Sequence, residues 1–169
     1  AKGYACDEVG RMLERNGVTN YMVEIGGEIA AKGVNSRGQQ WRVSVDMPID
    51  EDTTVNHQSA LVLSIDRGGV ATSGNYRKFK EVDGKKVTHI LNPLTGHGEQ
   101  SSLLSATVVA ADCATADAWA TACMAMGVDK AKALMQRSGS LGVMLISADS
   151  SGNMVVWSNK RFASLVSPQ

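Results

Sequence analysis

Two groups of residues in this 169-residue chain could do chemistry. In "ADAWATACMAMG", Asp117 and Thr121 are four residues apart, which puts a carboxylate and a hydroxyl on one helical face. Hard oxygen donors of this kind suit Mg²⁺, an ion that keeps waters and shares its shell with substrate phosphates. Spacing alone favours a plainer origin, a solvated polar face or an aspartate near a helix start complementing the dipole. In "THILNPLTG", a strand carries His89 directly into a turn. Val87, His89 and Leu91 share one face, with Thr88 and Ile90 on the other. That apolar company favours a hydrogen-bonded structural histidine over a catalytic one. The following Asn92-Pro93-Leu94-Thr95-Gly96 is rigid turn chemistry, suited to the rim of a ligand site. His57 and His97 sit in polar segments and read as surface residues.

Glycine pairs form a third feature. Gly26-Gly27 and Gly68-Gly69 each interrupt a strand signal, and Ser73-Gly74 follows the second pair. Such glycines permit close backbone approach to a ligand, but a β-bulge is the commoner cause. No Walker A sequence and no G-x-G-x-x-G occurs, so a standard nucleotide loop has no support. Cys6, Cys113 and Cys123 lack metal-ligand spacing. Cys113 and Cys123 would be ~15 Å apart along one helix, too far for a disulfide. All three read as buried thiols.

These residues need elements to position them. "YACDEVGRMLERNG" predicts an amphipathic helix with Ala5, Val9, Met12 and Leu13 on one face and Gly17 as a left-handed stop. "YMVEIGGEIAAKG" starts as a strand and breaks at the glycine pair. "QWRVSVDMP" alternates Trp41, Val43 and Val45 inward and ends at Pro48. "ALVLSIDRGGVATSG" is a further strand signal, broken at Gly68-Gly69. "YRKFKEVDGKKVTHIL" predicts a hairpin turning at Asp83-Gly84. After "SSLLSATVVAAD" the apolar period lengthens from two to about four. "CATADAWATACMAMG", stopped by Gly127, and "VDKAKALMQRSG" are therefore helices. "LGVMLIS" and "MVVWS", joined through a turn at Gly152, form a last hairpin. Hairpin-linked strands with a few helices predict an α+β fold with a mainly antiparallel sheet and flanking helices.

Composition narrows the function classes. Seventeen basic and 17 acidic side chains leave zero formal net charge, which gives no electrostatic reason to expect nucleic acid. No apolar run approaches the ~20 residues that span a bilayer as a helix. The length suits one domain. The opening "AKGYACDEVG" lacks a starting methionine and a signal peptide, which predicts processing or the loss of something upstream.

Six stretches in order, "KGYACDEV", "VEIGGEIAAKG", "WRVSVDMP", "VATSGNYRKF", "THILNPLTG" and "ADAWATACMAMG", resemble the FAD:protein FMN transferase (ApbE) family across essentially the whole chain. The resemblance implies an ApbE-like, T-fold-like α+β architecture, with residues 1–169 as the C-terminal part of a single flavin transferase domain. The upstream half would carry an export signal and further flavin contacts. The implied reaction moves FMN from FAD to a Ser or Thr hydroxyl of an acceptor flavoprotein of a redox complex, with Mg²⁺ required and AMP released. A FAD pyrophosphatase giving FMN and AMP, or a non-enzymatic flavin-binding protein, are the alternatives. By the same resemblance Asp117 and Thr121 match metal ligands, Lys2 and Leu91 match positions at the FAD site, and His89 matches the histidine implicated in catalysis. Ala120 replaces an aspartate present in some relatives, and Asn92 replaces the usual Asp of the His-x-x-Asp-Pro-x-Thr-Gly motif. A further metal contact falls just before Ala1. The implied location is the periplasmic side of a bacterial inner membrane, lipid-anchored through the upstream part.

Overall fold

A computed structural model describes residues 1–45, 61–74, 79–82, 85–88, 96 and 102–167. In chain order the elements are α1 (Lys2–Arg15), β1 (Tyr21–Ile25), β2 (Glu28–Lys32), β3 (Trp41–Val45), β4 (Leu61–Ile65), β5 (Arg67–Gly74), β6 (Phe79–Val82), β7 (Lys85–Thr88), β8 (Leu103–Ala110), α2 (Cys113–Met126), α3 (Val128–Met135), β9 (Gly142–Ala148), β10 (Met154–Ser158) and α4 (Lys160–Ala163). Six strands form one sheet in the order β1-β2-β5-β8-β9-β10, and every neighbouring pair is antiparallel. The α+β class with a mainly antiparallel sheet and flanking helices is what the sequence predicts.

The central strands are covered on both faces. On one side Ala106, Val108, Val143 and Leu145 pack against Ala116, Ala120, Cys123 and Met124 of α2 and Ala131 and Met135 of α3. On the other, Val70, Val109, Met144 and Ile146 meet Val43, Val45, Leu63 and Ile65 of the β3–β4 hairpin and Phe162 of α4. Double coverage explains why β8 and β9 read as nearly continuous apolar runs. β3, by contrast, buries Val43 and Val45 and exposes Arg42 and Ser44, the alternation its sequence predicts. Burying one large apolar side chain such as Leu63 or Phe162 contributes roughly 1.5–3 kcal/mol.

Turn chemistry fixes the connections. Gly26 and Gly27 both have positive φ, 60° and 97°, and Ile25 pairs with Glu28 across them. The pair is a two-residue hairpin turn in which both central residues are left-handed. Gly17 and Gly127, with φ of 81° and 77°, end α1 and α2 as expected. The register of β6 on β7 pairs Val82 with Lys85 and brackets Asp83-Gly84. Asp83, Gly84 and Pro48 lie outside the described residues.

Two expectations are corrected. The second strand signal breaks at Asp66 rather than at the glycines, because Gly68 and Gly69 are inside β5 and pair with Ala31 and Ala30 of β2. A Cβ on Gly69 would lie 2.2 Å from the Cys113 Cα, so that glycine makes room for the first residue of α2. The close approach inferred from the glycine pair is real, but a helix makes it. Likewise α1 does not bury the face of Ala5, Val9, Met12 and Leu13. Its buried residues are Gly3, Cys6 and Gly10, while Met12 is 47% exposed. Close packing on α2 and β2 selects the smallest side chains, so the helix turns its small-residue stripe inward.

Candidate active site

The site is built where α1 crosses the start of α2. Three backbone N–H groups at the N-terminus of α2 have no partner within the helix. Asp112 caps one by accepting from the Thr115 N–H at 2.7 Å. Asp7 of α1 takes the other two, from Cys113 at 2.9 Å and Ala114 at 2.8 Å. One carboxylate thus locks two helices together across 106 residues of sequence. Contact below it is equally close, since a Cβ on Gly3 would lie 2.3 Å from the Cys113 carbonyl oxygen. Cys6 and Cys113 are fully buried beside Ala30 in the same junction. Burial pushes the Cys113 thiol well up and the Cys123 thiol to about 11. All three cysteines are free and buried, as the sequence predicts.

This junction sets Asp117 and Thr121 one helical turn apart on α2. Asp117 Oδ2 accepts the Gly3 N–H at 3.0 Å. Burial pushes the Asp117 carboxyl upward. The Gly3 N–H and the charge of Lys2 act the other way and favour its charged form. Thr121 is exposed, and its Oγ1 lies 3.2 Å from Ser73 Oγ at the end of β5. Ala120, between them, is fully buried in the apolar core and contributes no side-chain donor.

Lys2 opens α1 and reaches the β1–β2 turn. Its Nζ donates to the Gly26 carbonyl at 2.9 Å and lies 2.6 Å from Glu28 Oε2. Lys2, Asp117, Thr121 and Ser73 are therefore gathered around one helix crossing. His89, Leu91 and Asn92 lie outside the described residues, β7 ending at Thr88. Of the five site residues expected from sequence, the structure brings three to this junction.

The donor set tests a metal. Among the described residues no group of three His, Cys, Asp or Glu side chains could hold one. Asp117 and Thr121 do supply two hard oxygens from one helix face, and the Gly3 N–H engages a single carboxylate oxygen of Asp117. That partial oxygen set fits an ion that completes its shell with water and phosphate. Sequence reasoning missed Gly3, Asp7 and Glu28, and noted Ser73 only as the residue that precedes Gly74, not for its hydroxyl. Gly3, Asp7 and Glu28 stand inside recognisable stretches, but each acts on a partner distant in sequence, through a contact made only by folding.

An antiparallel α+β domain with an ammonium, a carboxylate and hydroxyls at a helix crossing defines a class. Comparison with known proteins makes it specific. A model described as the ApbE family matches residues 1–145, and the chain belongs to that family. It is 36% identical over 161 residues to the FAD:protein FMN transferase of Salmonella typhimurium, covering 95% of this chain and 44% of that protein. The Escherichia coli K12 protein of the same name is 36% identical over 165 residues, covering 98% and 45%. Among solved structures, the apo Pseudomonas stutzeri flavinyl transferase ApbE superposes with a TM-score of 0.83 at 33% identity, covering 100% of this chain and 50% of that one. The flavin transferase ApbE from Vibrio cholerae gives 0.81 at 32%, covering 97% and 50%. The chain spans about half the length of the relatives it matches.

Proposed function

We infer that this chain supplies one wall of a flavin transferase site, which moves FMN from FAD to a Ser or Thr hydroxyl of an acceptor flavoprotein and releases AMP. One observation carries the reading: the α1–α2 crossing gathers Lys2, Asp117 and Thr121 in a chain of the ApbE family. The reaction is a displacement at phosphorus. A bond forms from the acceptor oxygen to the FMN phosphorus, and the bond from that phosphorus to the oxygen of AMP breaks. AMP leaves with the electron pair. Mg²⁺, held by Asp117 and Thr121 when bound, would neutralise charge on the pyrophosphate and the leaving group. Lys2 binds the dinucleotide's phosphates as a point charge. By the family resemblance, His89 would take the acceptor hydroxyl's proton or orient the reacting groups, and Leu91 would contact the flavin.

A dinucleotide pocket buries most of its ligand between converging walls. Lys2, Asp117 and Thr121 stand at one helix crossing and the relatives are about twice this length, which supports a reading in which an upstream segment of the same enzyme supplies the facing wall. The family resemblance further supports a periplasmic, lipid-anchored location.

Mass spectrometry of the acceptor after incubation with the intact protein, FAD and Mg²⁺ tests the activity. A covalent FMN adduct on a Ser or Thr is the expected result. Free FMN and AMP without an adduct would make the protein a pyrophosphatase, and neither product would make it a flavin carrier.

A further inference from the structure

Among the described residues, Glu28 is the one charged side chain that the fold buries without an evident structural reason. It opens β2 directly after the Gly26-Gly27 turn and is 5% exposed. Its only cationic partner among the described residues is Lys2, 2.6 Å from Oε2, and that oxygen takes no well-aligned hydrogen bond. Lys2 itself is 53% exposed. An ion pair so placed brings little stability, because removing a carboxylate from water offsets the attraction, and an apolar side chain would fill the space as well. What the pair does accomplish is positional. A lysine on a flexible four-carbon stem is pinned between Glu28 and the Gly26 carbonyl.

We propose that Glu28 is a positioning residue that holds the Lys2 ammonium ready for the phosphates of the dinucleotide, and so sets the affinity of the site for phosphate-bearing flavins. This rests on the reading of Lys2 as a phosphate-binding residue. Glu28 touches neither ligand nor reacting atoms in this role. Its effect runs through Lys2, whose ammonium lies 2.6 Å from its carboxylate, while its backbone carbonyl accepts from the Cys6 thiol at 3.2 Å.

The test is a double-mutant cycle read as Kd for FAD and for riboflavin, which lacks phosphate, on the intact protein. Lys2→Met and Glu28→Gln should each weaken FAD binding by about tenfold or more, the scale of one charge-assisted contact, and leave riboflavin binding unchanged. In the Lys2→Met background, Glu28→Gln should have no further effect on FAD. If Glu28→Gln fails to fold, Glu28→Met, which fills the space without polar atoms, should give the same pattern. FAD binding sensitive to Lys2→Met but indifferent to Glu28→Gln, or tightened by it, overturns this proposal alone. So does an effect on riboflavin equal to that on FAD, or full additivity in the double variant. FAD binding indifferent to Lys2→Met overturns the assignment of Lys2 itself, and the proposal with it.

Discussion

Asp117 carries two duties at the residue scale. It offers oxygens suited to a cation, and it anchors the N-terminus of α1 by accepting the Gly3 N–H. Alanine would remove both, so asparagine is the informative change, since its carbonyl oxygen can still take that N–H. Asp117→Asn should lower Mg²⁺-dependent turnover by ~10²–10³-fold, the effect of losing several kcal/mol of charge stabilisation. Thermal stability should stay near the parent value. Turnover within a few-fold of the parent, measured with a stable variant, would remove Asp117 from the metal site. Asp117 and Thr121 were legible because i, i+4 spacing is a local property that survives from sequence to helix. Lys2 and Glu28 were not legible as a pair. A salt bridge between a helix start and a strand start exists only after α1 has docked on the β1–β2 hairpin.

The element that matters most is α2, and its seat on the sheet is made by glycine. Gly69 of β5 lies directly beneath Cys113, where any Cβ would meet the helix backbone. No rotamer change relieves a clash with backbone, so Gly69→Ala must push α2 off β5. The expected cost is ~1–3 kcal/mol. At this chain length that is a Tm fall of roughly 2–12 °C. Turnover should fall further than the stability loss explains, because α2 carries Asp117 and Thr121 while Lys2 stays with α1 and the β1–β2 turn. An unchanged Tm by calorimetry would show that the helix does not sit where the glycine permits. Helix stops and the last hairpin were readable from sequence because Gly17, Gly127 and Gly152 act through their own φ angles, whereas Gly26-Gly27, read as a strand break with a bulge as its commoner cause, is a hairpin turn. Gly3, Gly10 and Gly69 were misread or passed over because they act through what packs against them. Hydrophobic periodicity scores a glycine as a gap, whereas a tight helix crossing treats it as the contact.

At the scale of the whole molecule, the sheet ends in β1 on one side and β10 on the other, among the described residues. Met154, Val155 and Val156 of β10 are 46–49% exposed, on both faces of the strand. An apolar edge of that kind favours pairing with further chain. Together with a site that has one wall, it leads to an expectation for the native particle. Size-exclusion chromatography with denaturing electrophoresis on the same sample should show this chain travelling with the upstream segment. A monomer of 17.9 kDa that binds FAD tightly by itself would sink that expectation. In the sequence this expectation rests only on resemblance, since nothing in the alternation of "MVVWS" separates an edge strand from a central one.

The Asp7 clasp on α2 has a consequence for how the protein breathes. Amide hydrogens in the first turn of a helix usually exchange fastest, because water is their only other partner. Here the Cys113 and Ala114 amides are held by a carboxylate from another helix, so deuterium can reach them only when α1 lifts away. Their exchange should be slow, should match that of the Gly3 amide, and should quicken together with it in Asp7→Asn. Followed by mass spectrometry or NMR, those amides act as a clock for the opening of the whole helix crossing.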